Sequence, residues 1–510
     1  MKLLHPQDHR PGDWAAENAS FGDPRFAAPF LEEIRDFVTA AQFRMLVDRT
    51  VMGFALDNAR RVERRLLNSL HELGATEQAK MIVQRAAADV ALDDPDKVAW
   101  LLTFMHKVGV TGQAQALAQR AATDVALDDA GDVAGLLDSM LKVGATGQAQ
   151  ALAQRAAIGA PLDNPFLVAR LLDSMLKVGA TGYAQALAQR AAIGAPLDNL
   201  FLVAELLGSM HRLGVIEQTQ TLAQRAATGA AVDNPFLVAE LLGSMHRLGV
   251  IEQTQTLAQR AATGAAVNDP GGVAELLDSM HLVSATKQAE SLAQRAVVEV
   301  VLDDDPHRLT QLLDSMRKYG TNELAHVLAQ RIATDTAVDG DSNVAVLLEA
   351  MHKISATEQA ESLAQRAAAE VALDDAGVVA WLMGSMHKIS TTEQAQSLAQ
   401  RAGRDVALDD PGDVADLLDS MYLVGANEQA ELLAQRAATD VSLDGSDNVE
   451  KLLNCLRLFG ATEQVTVLVN RLPTASLFPR FVELTLHGVQ FRFGREHDGS
   501  PAVQWTWDDL

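Results

Sequence analysis

Seven histidines fall at one position of a repeated pattern, which raises the question of metal binding. They are His71, His106, His211, His246, His281, His352 and His387. Zinc needs its ligand nitrogens about 2.1 Å from a single ion, whereas helices of adjacent repeats pack roughly 8–10 Å apart. No second column of ligand residues accompanies the histidines, and leucine, arginine or tyrosine replaces them in other copies. The pattern favours packing of the imidazoles on a helix, and we expect no metal and no cofactor.

An arginine also recurs once per copy, in an Ala-Gln-Arg step that could bind phosphate or carboxylate groups. The copies are Arg120, Arg155, Arg190, Arg225, Arg260, Arg295, Arg331, Arg366, Arg401, Arg436 and Arg471, with weaker copies at Arg49 and Arg85. Each lies within helical reach of acidic residues in its own loop or in a neighbouring helix. We therefore predict structural ion pairs that hold adjacent copies in register.

Paired aspartates in the loops, such as Asp128 and Asp129, raise the question of calcium. Their spacing does not match a calcium-binding EF-hand loop, and one carboxylate of each pair suits a helix N-cap. The run Glu496, His497 and Asp498 has no positioned nucleophile, and the chain contains no HExxH or Gly-rich phosphate motif. We expect no catalytic residues and no enzymatic activity.

These columns share a period of 35 residues, with two 36-residue steps, and residues 201–232 are identical to residues 236–267. A fixed period of this size is typical of stacked supersecondary units. In residues 164–198, Asn164 suits an N-cap and Pro165 the first helical position. Gly179 suits the end of this first helix, and Thr181 is placed to cap a second one.

We therefore predict an all-α fold, a right-handed α-α superhelix of about twelve helix–turn–helix units. The predicted divisions are coil over 1–24, an N-terminal helical cap over 25–55, the solenoid over 56–471, and a C-terminal cap over 472–510. Residues 489–493 and 503–507 alternate polar and apolar side chains around a turn-rich stretch, which predicts a small β-hairpin in that cap.

The composition restricts the partner and the compartment. The net charge of −25 weighs against nucleic acid as a partner, because nucleic-acid affinity comes from Lys and Arg that neutralise phosphates. Cys455 is the only cysteine, which excludes a disulfide framework. The N-terminus has no apolar signal core, and no run of 18 apolar residues could span a membrane. We expect a soluble cytoplasmic protein without membrane contact.

The run LLDSMLKVGATGYAQALAQRAA resembles the tetratricopeptide and pentatricopeptide repeats, and its 35-residue length is closer to the pentatricopeptide class. The resemblance covers roughly residues 50–471 and implies an α-solenoid. It would imply single-stranded RNA binding through the start of the first helix and the end of the unit. The corresponding stretches here are Phe-Leu-Val-Ala or Gly-Asp-Val-Ala, and the unit ends are acidic, so RNA binding stays an alternative. The whole chain is also similar to actinobacterial alanine-rich repeat proteins, which implies no activity.

One position varies while its neighbours repeat almost unchanged, namely the residue after Val-Ala in the first helix. A varying position is not constrained by packing, and in related solenoids the first helix lines the concave face. The candidate partner-binding residues are Trp100, Arg170, Glu205, Glu240, Glu275, Trp381 and Asp416. We predict a non-enzymatic scaffold that binds a protein or peptide, one carrying basic patches, along this concave surface. A single-stranded RNA binder and a regulatory subunit of a separate enzyme are the alternatives.

Overall fold

The computed structural model describes residues 74–302, 305–338, 343–443 and 446–473, together with positions 45, 67–68, 70–72, 475, 477, 481, 500 and 502–503. The predicted coil over 1–24, nearly all of the cap over 25–55, and nearly all of the hairpin segments lie outside the described residues. Within the described part every regular element is a helix and no strand occurs, so the hairpin has no support there.

First and second helices alternate along the described chain. In order they are α1 Thr76–Asp89, α2 Pro95–Lys107, α3 Thr111–Asp124, α4 Ala130–Lys142, α5 Thr146–Gly159, α6 Pro165–Lys177, α7 Thr181–Gly194, α8 Leu200–Arg212, α9 Ile216–Gly229, α10 Pro235–Arg247, α11 Ile251–Gly264, α12 Pro270–Leu282, α13 Thr286–Glu299, α14 Pro306–Lys318, α15 Asn322–Asp335, α16 Asn343–Lys353, α17 Thr357–Glu370, α18 Ala376–Lys388, α19 Thr392–Asp405, α20 Pro411–Leu423, α21 Asn427–Asp440, α22 Ser446–Leu458 and α23 Thr462–Arg471. Even-numbered helices are the first helices of their repeats, and odd-numbered helices are the second ones. The all-α helical repeat is therefore confirmed.

The first helices begin at side-chain caps, as the loop aspartates predicted. In α4 the Asp129 carboxylate accepts hydrogen bonds from the backbone N–H groups of Gly131 at 2.7 Å and Asp132 at 2.9 Å. In α6 the Asn164 side chain accepts from the N–H of Phe166 at 3.1 Å. These bonds satisfy N–H groups that have no partner inside the helix.

The turn between the two helices of a repeat needs a left-handed residue. Gly179 takes φ 73° after α6, and the N–H of Ala180 donates to the carbonyl oxygen of Met175 at 2.9 Å. The expectation that Thr181 caps α7 is wrong, because Ala180 is the N-cap residue and no side-chain cap forms. The turn leads directly into the helix, so Thr181 already lies in its first position.

Three repeats carry serine at this turn instead of glycine, and all three serines are left-handed. Their φ angles are 59° at Ser284, 62° at Ser355 and 68° at Ser390. A side chain makes the left-handed conformation less favourable by roughly 1–2 kcal/mol, and glycine avoids that cost but loses more backbone entropy on folding. The strain at each serine is therefore partly relieved if glycine replaces it.

We expect Ser355→Gly to raise the free energy of unfolding by about 0.5–1 kcal/mol. Urea denaturation followed by circular dichroism measures the change. The reverse substitution, Gly179→Ser, is the matched control and should lower stability by a similar amount. A stabilising effect of Gly179→Ser would show that the turn conformation is not the cause.

The core consists of apolar stripes on both kinds of helix. Leu171 and Met175 of α6 are fully buried, as are Leu187, Ala188 and Ala191 of α7. First helices pack against first helices and second helices against second helices. The small alanines let the second helices approach closely, while the opposite side of each first helix stays open to solvent.

Two compact units make up the chain. Unit 1 contains residues up to 231 and residues 240–260, and unit 2 contains residues 232–239 and 261 onward. Helices α10 and α11 are divided between the units, so each unit is described by itself below. In the described part of the chain, no helix is both long and apolar enough to cross a bilayer.

Candidate binding face of the first helices

The recurring arginines, called here the arginine ladder, bind backbone carbonyls of the preceding repeat. The Arg190 guanidinium donates to the carbonyl oxygens of Ala157 at 2.8 Å and Ala160 at 2.9 Å. Both carbonyls lie at the C-terminal end of α5, where a helix has unpaired acceptors and a negative dipole end. The half-buried Arg190 guanidinium therefore closes the end of the second helix before it.

The same pair of contacts recurs along the ladder. Two-pronged contacts to the preceding repeat are made by Arg120, Arg155, Arg225, Arg260, Arg295, Arg331, Arg366, Arg401, Arg436 and Arg471. The predicted acidic partners are therefore not the main ones. Carboxylates pair only in addition, as in Arg295 with Glu299 at 3.4 Å and Arg366 with Glu370 at 3.7 Å.

The exposed side of the first helices is called here the first-helix face, and all of the predicted binding residues lie on first helices. In unit 1, Arg170, Glu205 and Glu240 are exposed. Trp100 is half-buried and stacks on Phe104, with ring centroids 5.6 Å apart.

In unit 2, Glu275 is exposed and the Trp381 side chain has 42% of its area exposed. Asp416 is half-buried and pairs with Lys451 at 2.7 Å. A shallow cavity of about 480 Å³ adjoins Glu275 and is lined by Asp278, Asp314 and Lys318 among others. Three acidic residues and two basic residues, Arg317 and Lys318, therefore line this cavity of unit 2.

Ion pairs also join adjacent first helices, and the sequence analysis does not predict them. In unit 1 the amine of Lys177 contacts Asp138 at 3.1 Å, and the guanidinium of Arg212 contacts Asp173 at 2.8 Å. In each pair, the acidic residue lies nine positions after the N-cap of its first helix. The basic residue lies thirteen positions after the N-cap of the first helix in the next repeat. The spacing of 39 residues is visible in the sequence and could have identified these pairs.

Unit 2 uses the same geometry. Lys318 contacts Asp278 at 3.3 Å, and Lys388 contacts Glu349 at 2.8 Å. The hydrogen bond from Lys388 is the main reason that the pKa of Glu349 lies below its usual value. The acids and bases of the face are therefore largely arranged in pairs that join neighbouring repeats.

The negative charge of unit 1 is not carried by its first helices. Helices α2, α4, α6 and α8 contain six lysines or arginines and five acidic residues. The remaining residues between 76 and 231 contain ten acidic and six basic side chains. That remainder is therefore acidic, while the first helices of unit 1 carry one more basic residue than acidic residues and are close to neutral.

Comparisons with known proteins give structural likeness alone. No family model matches the chain, and no curated protein matches it in sequence. Two similar solved structures are of the pentatricopeptide repeat protein PPR10 in complex with an 18-nucleotide psaJ RNA element, one of them a Cys→Ser triple variant. Each is 14% identical, with a TM-score of 0.41 over 93% of this chain, and the chain spans 65% of that protein. A third, PPR10 from maize, is 14% identical with a TM-score of 0.22 over 92% of this chain and 79% of that one.

The chain is a helical-repeat protein that resembles the pentatricopeptide repeat proteins. The expectation that nucleic acid is not a partner is contradicted, because two of these pentatricopeptide structures hold RNA. That expectation depended on the net charge of the whole chain. A ligand contacts one face only, and the first helices of unit 1 do not share the overall negative charge, so the net charge of the whole chain does not exclude nucleic acid.

Proposed function

We propose that this protein is a non-enzymatic binding scaffold that holds single-stranded RNA along the first-helix face of unit 1. The observation that carries the proposal is the charge distribution of unit 1. The first helices carry six lysines or arginines against five acids, while ten of the fifteen acids between residues 76 and 231 lie in the loops and second helices. Phosphate contacts by Lys and Arg supply most of the affinity for nucleic acids.

Exposed aromatic side chains on the same helices support the proposal. Phe166 is the second residue of α6 and has 39% of its area exposed, and Phe201 is the second residue of α8 and has 46% exposed. Aromatic rings stack on unpaired bases at roughly 1–3 kcal/mol per base. Helical-repeat proteins of the pentatricopeptide class bind one base per repeat, which matches one exposed ring in each of these repeats.

We expect the full-length protein to bind fluorescein-labelled single-stranded RNA, and to lose affinity steeply as salt rises. Each phosphate contact contributes about 0.7 to the slope of log Kd against log salt concentration for single strands. Fluorescence anisotropy at several salt concentrations measures this slope, with duplex DNA as the control ligand. Absence of binding at low salt, or binding that does not depend on salt, would rule out the proposal.

A protein or peptide ligand is the second candidate, and the face of unit 2 favours it. Glu275, Asp278 and Asp314 line the shallow cavity there together with Arg317 and Lys318, so its lining has no excess of positive charge to attract phosphates. Trp381 is partly exposed on the same unit, and exposed tryptophan is a preferred anchor residue in protein interfaces. The RNA titration separates the candidates, because a protein whose ligand is a peptide and not RNA would show no salt-dependent affinity for RNA.

A further inference from the structure

Two places in unit 2 share a local sequence pattern, and a lysine is present in one of them only. Helices α12 and α20 both contain the run Leu-Leu-Asp-Ser-Met and both end in leucine. The first helix of the next repeat ends in Arg-Lys before Tyr-Gly after α12, and in Arg-Leu before Phe-Gly after α20. The lysine is Lys318, and Leu458 takes its position in the second case. The two places therefore show what this lysine does and what its absence leaves.

At the first place, called here the Tyr319 site, the chain supplies its own cation to an aromatic ring. Tyr319 stacks against His281, with ring centroids 3.8 Å apart. The Lys318 amine lies 4.7 Å from the centroid of the Tyr319 ring and 3.3 Å from the Asp278 carboxylate. The hydrogen bond with Tyr319 is the main reason that the pKa of Lys318 lies above its usual value. A carboxylate and a ring face together hold this ammonium group.

At the second place, called here the Phe459 site, the carboxylate and the ring are present and the cation is missing. Phe459 stacks on Tyr422, with ring centroids 3.5 Å apart. Asp419 corresponds to the carboxylate of the Tyr319 site and accepts a hydrogen bond from the Cys455 thiol at 3.2 Å. It forms no ion pair with the residues that the structure describes. Leu458 has 82% of its area exposed, so a hydrocarbon side chain stands where the ammonium group would be.

A cavity of about 280 Å³ adjoins the stacked rings of the Phe459 site. Besides Tyr422 and Phe459, its lining includes the exposed residues Glu431 and Glu463, and no lysine or arginine among the described residues. Burial, and after it the negative charge of Glu431, raises the pKa of Tyr422 above its usual value. The rings therefore lie beside carboxylates whose charge no cation of the cavity lining offsets.

Glu431 also replaces a hydrogen-bond donor that other repeats have at its position. Gln396 holds this position in α19, and its amide donates to the carbonyl oxygen of Val424 at 3.1 Å. The corresponding acceptor for Glu431 is the carbonyl oxygen of Phe459. An ionised carboxylate has no proton to donate. Two acceptors therefore stand here in place of a donor and an acceptor, and a lysine or arginine from outside the chain would supply the missing donor.

Two basic residues of α22 lie near the Phe459 site. Lys451 is bound to Asp416 at 2.7 Å. Arg457 is exposed, and Arg317 holds the same position next to Lys318 in the Tyr319 site. An arginine at this position is therefore compatible with a second cation over the neighbouring ring.

Exposed leucines adjoin both stacked rings. Leu423 directly follows Tyr422 and has 57% of its area exposed, and Leu458 directly precedes Phe459. A phosphate-bearing ligand gains little from a cavity whose lining has no lysine or arginine. An amphipathic peptide that carries basic residues beside apolar ones matches both the carboxylates and the leucines.

We propose that the Phe459 site docks a basic amphipathic segment of a partner protein. A lysine or arginine of the segment takes the place between Asp419 and the Phe459 ring that Lys318 takes in the Tyr319 site. Apolar residues beside it cover Leu423 and Leu458. The site lies in unit 2, so the proposal does not depend on RNA binding by unit 1.

The first test adds the missing cation to the chain itself. The probe is a fluorescein-labelled peptide in which Leu-Lys-Lys-Leu is repeated to about four helical turns, and its binding to the full-length protein is followed by anisotropy. We expect Leu458→Lys to lower the affinity by about tenfold, because the new amine pairs with Asp419 and covers the ring as Lys318 does. Peptides with glutamate in place of lysine, or serine in place of leucine, should not bind to the wild-type protein.

Leu282→Lys is the matched control, because it makes the same substitution at the last position of α12. Gly243 stands there in place of the acidic residue and Val283 in place of the aromatic residue. The added charge is screened at physiological salt, so the affinity should stay within about twofold of wild type. Equal losses in Leu282→Lys and Leu458→Lys would reduce the effect to overall charge and overturn the proposal.

The second test creates a second docking site. Lys318→Leu removes the cation from Asp278 and Tyr319 and leaves Leu282, which has 60% of its area exposed, beside them. Isothermal titration calorimetry with the same lysine–leucine peptide should then show two bound peptides per chain, against one for wild type. Lys177→Leu makes the same exchange where no aromatic residue follows, and its stoichiometry should stay at one.

The remaining outcomes also decide the proposal. A stoichiometry of one for Lys318→Leu, or binding of the glutamate peptide as tight as that of the lysine peptide, would overturn it. If a second copy of this chain is the occupant, sedimentation velocity will show a dimer that Leu458→Lys dissociates, and the peptide will not bind, which also overturns it. Circular dichroism should show wild-type helix content in every variant, so that a lost site is not confused with lost folding.

Discussion

Replacing Leu187 by alanine should lower the free energy of unfolding by about 2–5 kcal/mol. The Leu187 side chain in α7 has no exposed area, and α7 packs against α5, α9 and the first helix of its own repeat. The substitution removes buried methyl groups and leaves a cavity that the alanine-rich neighbours cannot fill. Urea denaturation of the full chain measures the loss.

Ile193 in the same helix provides the matched control. Its side chain has 66% of its area exposed, so Ile193→Ala should change stability by less than about 0.5 kcal/mol. Repeat proteins open locally because each repeat contacts only its neighbours. Hydrogen exchange should therefore show lost protection in α7 first, and equal effects of the two substitutions would contradict the assignment of buried and exposed faces.

Local features of this kind could be predicted from the sequence because each depends on one residue type at one position. Asn164 and Asp129 cap their helices through short side-chain oxygens, and Gly179 takes the left-handed turn. Thr181 was assigned as a cap on the same logic, but Ala180 holds that position. A one-residue shift of a helix boundary is beyond the resolution of a sequence pattern.

Interactions between repeats were harder to predict. The arginine ladder is visible as a period, but its partners are carbonyl oxygens such as those of Ala157 and Ala160. Every residue has a carbonyl, so such acceptors leave no mark in the sequence. The pairing of Asp173 with Arg212 is visible in the sequence, because an acidic residue and a basic residue recur at a fixed spacing of 39 residues.

For the candidate binding face, too, the sequence predicts some features and not others. The varying position after Val-Ala identified exposed residues such as Arg170 and Glu205. The charge available to a ligand could not be obtained from composition. It depends on which lysines and arginines already form ion pairs with acidic residues. Lys142 and Lys177 are alike in sequence context, and only the residue in the preceding repeat distinguishes them.

Arg190→Ala should lower the free energy of unfolding by about 3 kcal/mol, because hydrogen bonds to charged groups contribute roughly 1.5–3 kcal/mol. The substitution removes two such bonds and leaves the carbonyls of Ala157 and Ala160 without their donor. Arg190→Lys should recover only part of the loss, because an ammonium group cannot reach two acceptors as a planar guanidinium does. Arg170→Ala removes an exposed arginine from the first-helix face, so its stability should stay within about 0.5 kcal/mol of wild type.

The functional consequence of Arg190→Ala distinguishes a structural arginine from a ligand contact. Its guanidinium is occupied by carbonyl oxygens, so the slope of log Kd against log salt for oligouridine should remain that of wild type. The measurement is made at a temperature where the variant keeps its full helix content by circular dichroism. A variant with unaltered stability and a reduced slope would reverse the assignment, making the arginine ladder the phosphate-binding element and the carbonyl contacts incidental.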